Sequence, residues 1–223
     1  GADRTSALLA VGGGAVSDLV GFVAATFMRG ITYCVCPTTI LSAIDASVGG
    51  KTAIDLGFGK NLVGAFYSPA LVYANVSCFD FLPEREVESG MGEAVKYAFI
   101  DKRVSAEDIA GDMENLVMKC VEIKNEIVKK DEFETKPRGG RTTLNLGHTI
   151  GHALEASSGY SLSHGLCVAY GIKRIIDLSA DFYGLSNEKV DEMNALLNVY
   201  PFDFSFDADM RDVKSRMLFD KKV

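Results

Sequence analysis

The sequence contains 223 residues, of which 48% are hydrophobic and 24% are charged. This balance excludes a disordered chain and allows either one large domain or two small ones. A formal net charge of -7 at pH 7 argues against a general surface for nucleic acids or anionic membranes, because phosphate groups recruit clustered lysine and arginine.

The predicted elements change in character near residue 84. Before it, short β-type runs at 7–11, 31–36 and 70–76 alternate with helix-compatible stretches such as 18–28, which is typical of part of a βαβ sheet. After it, apolar residues recur three and four apart. This spacing predicts helices over 85–100, 109–130, 144–157, 164–183 and 188–199. We therefore predict an α/β part over 1–84 and an all-α domain over 85–223.

A glycine turn follows the first predicted strand and opens the first predicted helix, in the sequence GGGAVSD at 12–18. Glycines at such a turn let backbone N–H groups approach a phosphate, and the helix N-terminus adds the positive end of its dipole. The spacing is not GxGxxG, and many glycine turns are purely structural. The turn indicates either a dinucleotide cradle or a structural connection.

A loop-rich stretch comes next, with PTT at 37–39, Asp45, GGKT at 49–52 and GKN at 59–61. Each of its lysines, Lys51 and Lys60, directly follows a glycine. Glycine opens the approach, lysine supplies charge, and threonine or asparagine donates hydrogen bonds, so the stretch predicts an anion site. It is not a Walker A loop, because Asp45 stands where that motif requires glycine. The alternative is a pair of solvated turn lysines.

The three histidines of the sequence, His148, His152 and His164, fall within seventeen residues. His148 and His152 are four residues apart and share one helix face, while His164 begins the next predicted helix. This clustering favours a zinc site over three separate core histidines. Glu93 is a further candidate ligand, because it lies in an apolar helical stretch with Lys96 on the same face. The alternative for that pair is a surface ion pair.

Cysteine usage and hydropathy favour a cytoplasmic protein. The five cysteines are an odd number without a CxxC pair, and the first residues do not resemble a signal peptide. Each apolar run is interrupted before the roughly 18 to 20 residues that a membrane helix needs. We therefore expect a soluble protein in a reducing compartment.

An ordered series of motifs runs through nearly the whole chain: GGGAVSDLVGF, FMRG, PTTILSAIDASVGGKTAID, GKNLVGAFYSP, LPERE, GMGEAVKYA, KKDEFETKPRGGRTTLNLGHTIGHALE, LSHG and the terminal DKK. The series resembles the 3-dehydroquinate synthase family of sugar-phosphate cyclases. The resemblance implies a Rossmann-like NAD-binding part followed by a helical metal-binding domain. It also implies two cofactors, NAD and zinc, with cobalt as an alternative metal.

The resemblance also implies residue roles. It makes Glu93, His148 and His164 the metal ligands and His152 a proton-transfer residue. The residues implied at NAD are Gly12, Gly13, Gly14, Asp18, Thr38, Thr39, Lys51 and Lys60. The residues implied at the substrate are Asp45, Lys51, Asn61, Lys96, Lys124, Arg141 and Asn145, with Glu134 as a second proton-transfer candidate. Arg29 matches an arginine that the family lends to a neighbouring subunit, which implies a homodimer.

The implied reaction converts 3-deoxy-D-arabino-heptulosonate 7-phosphate to 3-dehydroquinate and phosphate. It proceeds by transient oxidation with NAD, phosphate elimination, re-reduction and intramolecular aldol closure. Another sugar-phosphate cyclase, a metal-dependent alcohol or glycerol dehydrogenase, and an inactive remnant are the alternatives. The GGKT stretch at 49–52 favours dehydroquinate synthase among the cyclases.

Some positions depart from the family pattern. Ser17 and Leu166 stand where glycine and glutamate are usual. The segment between Glu134 and Arg141 is three residues longer than is usual in the family. Family members also carry a further N-terminal βαβ portion and a final strand. The resemblance implies that one of the last two lysines of this chain, Lys221 or Lys222, faces the substrate. We therefore expect the 223 residues to be a fragment that by itself binds NAD weakly or not at all.

Overall fold

The structure is a computed structural model of the protein and describes residues 1–57 and 59–218. It begins with strand β1 (Ala7–Gly12), helix α1 (Gly14–Thr26), a 3-10 turn (Phe27–Arg29) and strand β2 (Thr32–Pro37). A π-helical turn (Ser42–Ala46) leads to strands β3 (Lys51–Leu56), β4 (Gly59–Phe66) and β5 (Leu71–Val72), and then to a second 3-10 turn (Val76–Phe81). Strands β1, β2 and β5 form a parallel sheet in that order. The predicted βαβ unit is confirmed.

Helix α1 covers one face of this sheet. Alternation along β1 buries Ala10 in a small core with Ala24 of α1, while Leu9 and Val11 are 65% and 56% exposed. The helix begins four residues earlier than predicted, at Gly14. Its N-terminus therefore adjoins the glycine turn, as a phosphate cradle requires.

The stretch after β2 differs from the prediction. The sequence predicts loops over 49–61, but β3 and β4 pair as an antiparallel hairpin. The β-branched residues Ile54 and Val63 pair across it and supply strand propensity that the neighbouring glycines and lysines obscure. Lys51 and Lys60 therefore lie on paired strands.

The chain from Glu84 to the last described residue is mainly helical, as predicted. Its elements are α2 (Glu84–Ile100), α3 (Ala106–Ala110), α4 (Met113–Lys130), a third 3-10 turn (Arg141–Asn145), α5 (His148–Ser157), α6 (His164–Tyr183), α7 (Asn187–Leu197) and α8 (Met210–Met217). The sequence pattern does not predict α8, because Val213 is the buried residue of an otherwise polar segment. Within the described ranges, every helix is too short or too polar to cross a bilayer.

Two helix boundaries differ from the prediction. The helix predicted over 109–130 is divided into α3 and α4, because Asp112 caps α4 by accepting hydrogen bonds from two backbone N–H groups of its first turn. The helix predicted over 144–157 begins only at His148. Gly147 before it adopts a left-handed φ of 78°, which separates α5 from the preceding 3-10 turn.

Glycines let α2, α5 and α6 cross at very short range. A Cβ on Gly92 of α2 would lie 2.1 Å from the carbonyl oxygen of Gly165 in α6. A Cβ on Gly171 of α6 would lie 2.1 Å from the carbonyl oxygen of Gly147, just before α5. The residues next to these glycines include Glu93, His148 and His164. The crossings therefore bring three candidate ligands together.

Candidate metal and nucleotide site

Glu93 of α2 meets the first residues of α5 and α6. Glu93 Oε1 lies 3.4 Å from His148 Nε2 and 3.3 Å from His164 Nε2. Glu93 is fully buried, and its Oε1 accepts no hydrogen bond from any residue between 1 and 57 or 59 and 218. A buried carboxylate oxygen without a donor is costly unless a cation binds it.

The three side chains fit a divalent metal ion. Nitrogen and oxygen ligands lie at about 2.0–2.2 Å from a tetrahedral zinc ion, so neighbouring ligand atoms are about 3.3–3.6 Å apart. The other ring nitrogens face acceptors: His148 Nδ1 lies 3.1 Å from Leu146 O, and His164 Nδ1 lies 3.2 Å from Glu155 Oε2. Protons on both Nδ1 atoms leave both Nε2 lone pairs directed at the space beside Glu93.

His152 lies beside the same space. Its ring centroid is 5.1 Å from that of His148 and 5.8 Å from that of His164, and ligand atoms of the three histidines lie within 4.8 Å of one another. A second ligand set, with His152 in place of Glu93, is therefore also present. The structure brings all four side chains together.

Lys96 pairs with the second oxygen of Glu93 in the protein interior. Burial by itself would raise the pKa of Glu93, but Lys96 and the two histidines outweigh it and hold that pKa well below its usual range. Burial would likewise lower the pKa of Lys96, but Glu93 and Asp45 outweigh it and raise that pKa. Both groups are therefore charged, and this buried pair excludes the surface ion pair.

A second cation–carboxylate pair lies next to the first. Lys124 Nζ donates to Asp45 Oδ1 at 2.6 Å and to Asp45 O at 2.5 Å. Burial would raise the pKa of Asp45, but Lys124 and Lys96 outweigh it and lower that pKa to about 2. Burial lowers the pKa of Lys124 in spite of Asp45. Two lysines thus converge on the π-helical turn that carries Asp45.

Glu134 joins the hairpin to the entrance of α5. Its carboxylate accepts a hydrogen bond from Asn145 Nδ2 at 2.7 Å and contacts Lys51 Nζ. Arg141 Nη1 donates to Gly49 O at 2.8 Å and to Glu132 O at 2.7 Å. The predicted substrate residues on these segments are therefore neighbours.

A cleft of about 460 Å³ reaches from the glycine turn to His164. Its lining includes Gly13, Gly14 and Thr39 from the nucleotide part together with Lys60 and His164. A Cβ on Gly13 would lie 3.3 Å from Thr39 Cγ2, so the absence of a side chain there keeps this wall open. The predicted NAD residues at the turn thus share a cleft with a candidate metal ligand.

The remaining predicted residues occupy varied positions. Thr38 N–H donates to Gly12 O at 2.9 Å, behind the turn. Asn61 adopts a left-handed φ of 54° and its N–H donates to Asp55 Oδ1 at 2.9 Å. Arg29 is exposed beyond the C-terminal end of α1, a full helix length of about 20 Å from the glycine turn. Lys221 and Lys222 lie outside the described residues.

Two family models together match the whole chain. The family described as 3-dehydroquinate synthase N-terminal matches residues 1–89, and the one described as 3-dehydroquinate synthase C-terminal matches residues 90–223. The chain belongs to the 3-dehydroquinate synthase family. The resemblance inferred from the motifs is confirmed.

Curated relatives carry the family name. The 3-dehydroquinate synthase of Thermococcus kodakarensis is 40% identical over 225 residues, which cover 100% of this chain and 64% of the relative. That of Symbiobacterium thermophilum is 49% identical over 181 residues, which cover 76% of this chain and 50% of the relative. The chain thus spans half to about two thirds of the length of these members of the 3-dehydroquinate synthase family.

Solved structures show the same fold. A 2-deoxy-scyllo-inosose synthase complexed with carbaglucose-6-phosphate, NAD+ and Co2+ superimposes with a TM-score of 0.87 at 28% identity, covering 100% of this chain and 63% of that one. The valiolone synthase ValA of Streptomyces hygroscopicus, with NAD+ and Zn2+ bound, gives 0.80 at 19% identity, covering 95% and 62%. The predicted combination of an α/β part and a helical domain is confirmed.

Two carboxylates near the candidate site, those of Glu155 and Asp131, are not among the predicted site residues. Glu155 contacts His164 and Lys60, and it stands seven residues after His148 on the same helix face, a spacing that could have revealed it. Burial would raise the pKa of Glu155, but His164 and Lys60 outweigh it and lower that pKa to about 2. Asp131 is buried and accepts backbone N–H hydrogen bonds from Thr135 and Lys136, in the loop that carries Glu134, and from Arg141, which begins the next 3-10 turn.

Asp18 provides a test of the electrostatics at the nucleotide side. Burial, reinforced by Asp45, raises the pKa of Asp18 to about 7, against an ordinary value of 3.8. The folded chain therefore holds a proton that the unfolded chain releases between these pH values, and stability falls as pH rises through that window. We expect Asp18→Asn to raise the free energy of unfolding by about 2 kcal/mol at pH 8, with no gain below about pH 4.

Urea denaturation of the cofactor-free chain at several pH values measures this effect. Asp80→Asn, at an exposed aspartate, is the control for loss of one negative charge. Equal pH dependence of the two variants would contradict the assignment to Asp18.

Proposed function

We propose that the chain carries the metal and substrate site of a 3-dehydroquinate synthase, which converts 3-deoxy-D-arabino-heptulosonate 7-phosphate to 3-dehydroquinate and phosphate. The observation that carries the proposal is the convergence of Glu93, His148 and His164 beside the buried ammonium groups of Lys96 and Lys124. A net acidic chain that buries two lysines at a metal site is suited to a substrate with a carboxylate and a phosphate. The names of the curated relatives support the same activity.

For the metal we propose zinc or cobalt, held by Glu93, His148 and His164. This set includes Glu93 Oε1, which accepts no hydrogen bond within the part of the chain that the structure describes, and it leaves His152 close by without using it as a ligand. When bound, the metal would polarise a substrate hydroxyl and stabilise negative charge on its oxygen. Metal-bound cyclases of the same fold support this choice.

For NAD we propose the cleft at the glycine turn. The contacting residues would be Gly12, Gly13, Gly14, Asp18, Thr38, Thr39, Lys51 and Lys60. When bound, NAD would accept a hydride from the substrate and return it later, so that no net oxidation occurs. The backbone N–H groups at the start of α1 would hold phosphate oxygens of the cofactor.

The substrate would lie between the buried lysines and the hairpin. Its contacts would come from Asp45, Lys51, Asn61, Lys96, Lys124, Arg141 and Asn145. In the structure the cations among these residues pair with Glu93, Asp45, Glu134 or backbone carbonyls, so they are held in place before an anion arrives. His152 and Glu134 would transfer protons to and from the substrate.

We further propose a cytoplasmic homodimer in which Arg29 reaches the phosphate site of the neighbouring subunit. The exposed position of Arg29, a helix length from the turn of its own chain, supports this role. The division of the chain near residue 84, where α2 begins, is proposed as the boundary between the nucleotide part and the helical domain.

Phosphate release tests the function. With zinc and saturating NAD, the chain should release phosphate from 3-deoxy-D-arabino-heptulosonate 7-phosphate without accumulating NADH. Glucose 6-phosphate, which lacks the carboxylate, should release little phosphate. Release from glucose 6-phosphate alone would favour another sugar-phosphate cyclase, and net NADH formation would favour a dehydrogenase.

His152→Ala separates proton transfer from metal binding. We expect this variant to lose about 10²- to 10⁴-fold in turnover, because general acid–base groups contribute on that order, while zinc content stays near one per chain. His148→Ala is the control and should lose zinc. Metal analysis and phosphate-release rates measure both effects, and zinc loss in His152→Ala would instead support the set of three histidines.

A further inference from the structure

Glu155 links the two halves of the candidate site through a single carboxylate. Its Oε2 lies 3.2 Å from His164 Nδ1, and its Oε1 accepts a hydrogen bond from Lys60 Nζ at 2.9 Å. The side chain is only 12% exposed. One oxygen thus faces a candidate metal ligand, and the other faces a lysine of the nucleotide cleft.

Tyr160 completes the arrangement around Lys60. Lys60 Nζ lies 4.0 Å from the centroid of the Tyr160 ring. Tyr160 adopts a left-handed φ of 64°, and its N–H donates to the backbone carbonyl oxygen of Glu155 at 2.9 Å, so the turn after α5 closes on the backbone of Glu155. The lysine is held between a carboxylate and an aromatic face, which favours one position of its ammonium group.

We propose that Glu155 is a positioning residue that orients His164 for metal binding and shares its charge with Lys60. The proposal rests on the metal site proposed above. An Nδ1–H group that donates to a carboxylate leaves the Nε2 lone pair directed at Glu93 and makes the imidazole a stronger ligand. The metal affinity is therefore set partly from the nucleotide side of the cleft.

The corresponding nitrogen of His148 faces a different kind of acceptor. Its Nδ1 faces the neutral carbonyl oxygen of Leu146, at 3.1 Å. A carbonyl fixes the tautomer but brings no charge, whereas the carboxylate of Glu155 does both. Lys60 donates a hydrogen bond to the same carboxylate and neutralises part of its negative charge. Removing that lysine should therefore strengthen the interaction between Glu155 and His164.

Zinc affinity by chelator competition tests the proposal on the 223-residue chain. Glu155→Gln should bind zinc about 10- to 100-fold more weakly, and Glu155→Asp should recover part of the loss. Glu88→Gln is the matched control, because Glu88 accepts from Ser163 Oγ at 2.6 Å, one residue before His164, and has no role in the proposal. Its zinc affinity should stay within a fewfold of that of the parent chain.

A double-mutant cycle tests the sharing with Lys60. Lys60→Met should tighten zinc binding severalfold in the parent chain and have no such effect in Glu155→Gln. The visible spectrum of the cobalt-substituted chain should change in Glu155→Gln and stay unchanged in Glu88→Gln. A spectral change that occurs in Glu155→Gln and not in Glu88→Gln reports a change in the ligand field of the metal, because a general loss of stability would not by itself alter that field.

Two failures are distinguishable. A parent chain that binds no zinc would refute the metal site itself. A parent chain that binds zinc, with an affinity that Glu155→Gln leaves unchanged, would refute the positioning role alone. If Lys60→Met raised zinc affinity equally in the parent chain and in Glu155→Gln, the lysine would act on the metal directly. That result would refute the proposal that Lys60 acts through the Glu155 carboxylate.

Discussion

Gly165→Ala is expected to abolish zinc binding and to lower the free energy of unfolding by about 3 kcal/mol. A Cβ on Gly165 would lie 2.0 Å from Ser89 O and 2.6 Å from Ser89 C, both in the backbone of α2. No side-chain rotation relieves such a contact, so α2 and α6 must separate. Glu93 and His164 lie on these two helices, and a shift of an ångström or more removes the 3.3 Å approach of their ligand atoms.

Urea denaturation and metal analysis measure the two effects. Gly57→Ala is the control, since a Cβ at Gly57 would have no described atom within 4 Å apart from its own residue and chain neighbours. It should change neither zinc content nor stability by more than about 0.5 kcal/mol. A Gly165→Ala variant with one zinc per chain would show that the close crossing of α2 and α6 is not needed for the site.

Glu93→Gln is expected to remove zinc and to destabilise the metal-free chain by about 3–5 kcal/mol. The substitution keeps the shape of the side chain but leaves Lys96, which is 1% exposed, without its carboxylate. An uncompensated buried ammonium accounts for the loss of stability, and a missing anionic ligand accounts for the loss of zinc.

The double variant Glu93→Gln with Lys96→Met separates these causes. Because the second change removes the stranded charge, most of the stability should return while zinc binding stays absent. Denaturation in the presence of a chelator and zinc titration give the two readouts. Full zinc content in Glu93→Gln would show that the three histidines are the metal ligands. If the double variant recovered no stability, the buried charge of Lys96 would not be the cause of the destabilisation.

The helical half of the fold could be predicted well because its signal is local. Apolar spacing alone places α2 and α6 to within about a residue of their observed ends. The hairpin of β3 and β4 was not predicted, because pairing between its two strands overrides the local preference of glycine and lysine for turns. The division at Asp112 was missed because capping by one side chain competes with an uninterrupted apolar pattern.

The candidate site shows the same limit. The histidine cluster was visible because its members are close in sequence, and the i,i+4 spacing alone favours His148 with His152. Glu93 lies 55 residues before His148, so residue spacing does not connect them. Its apolar helical surroundings made Glu93 a candidate ligand, and the resemblance to the family placed it with His148 and His164. The salt bridge between Lys124 and Asp45, 79 residues apart, has no local signal at all.

The sequence by itself determined the family, the order of an α/β part and a helical part, and the presence of histidines, lysines and a glycine turn suited to metal and anion binding. Tertiary structure alone decided which ligand atoms meet. Helix crossings at Gly92 and Gly165, and at Gly147 and Gly171, set the distances among Glu93, His148 and His164. Residue spacing favours His148 and His152 as a ligand pair, whereas the proposed ligands come from three helices. The two differ because metal ligation depends on separations in space that residue spacing along one helix does not specify.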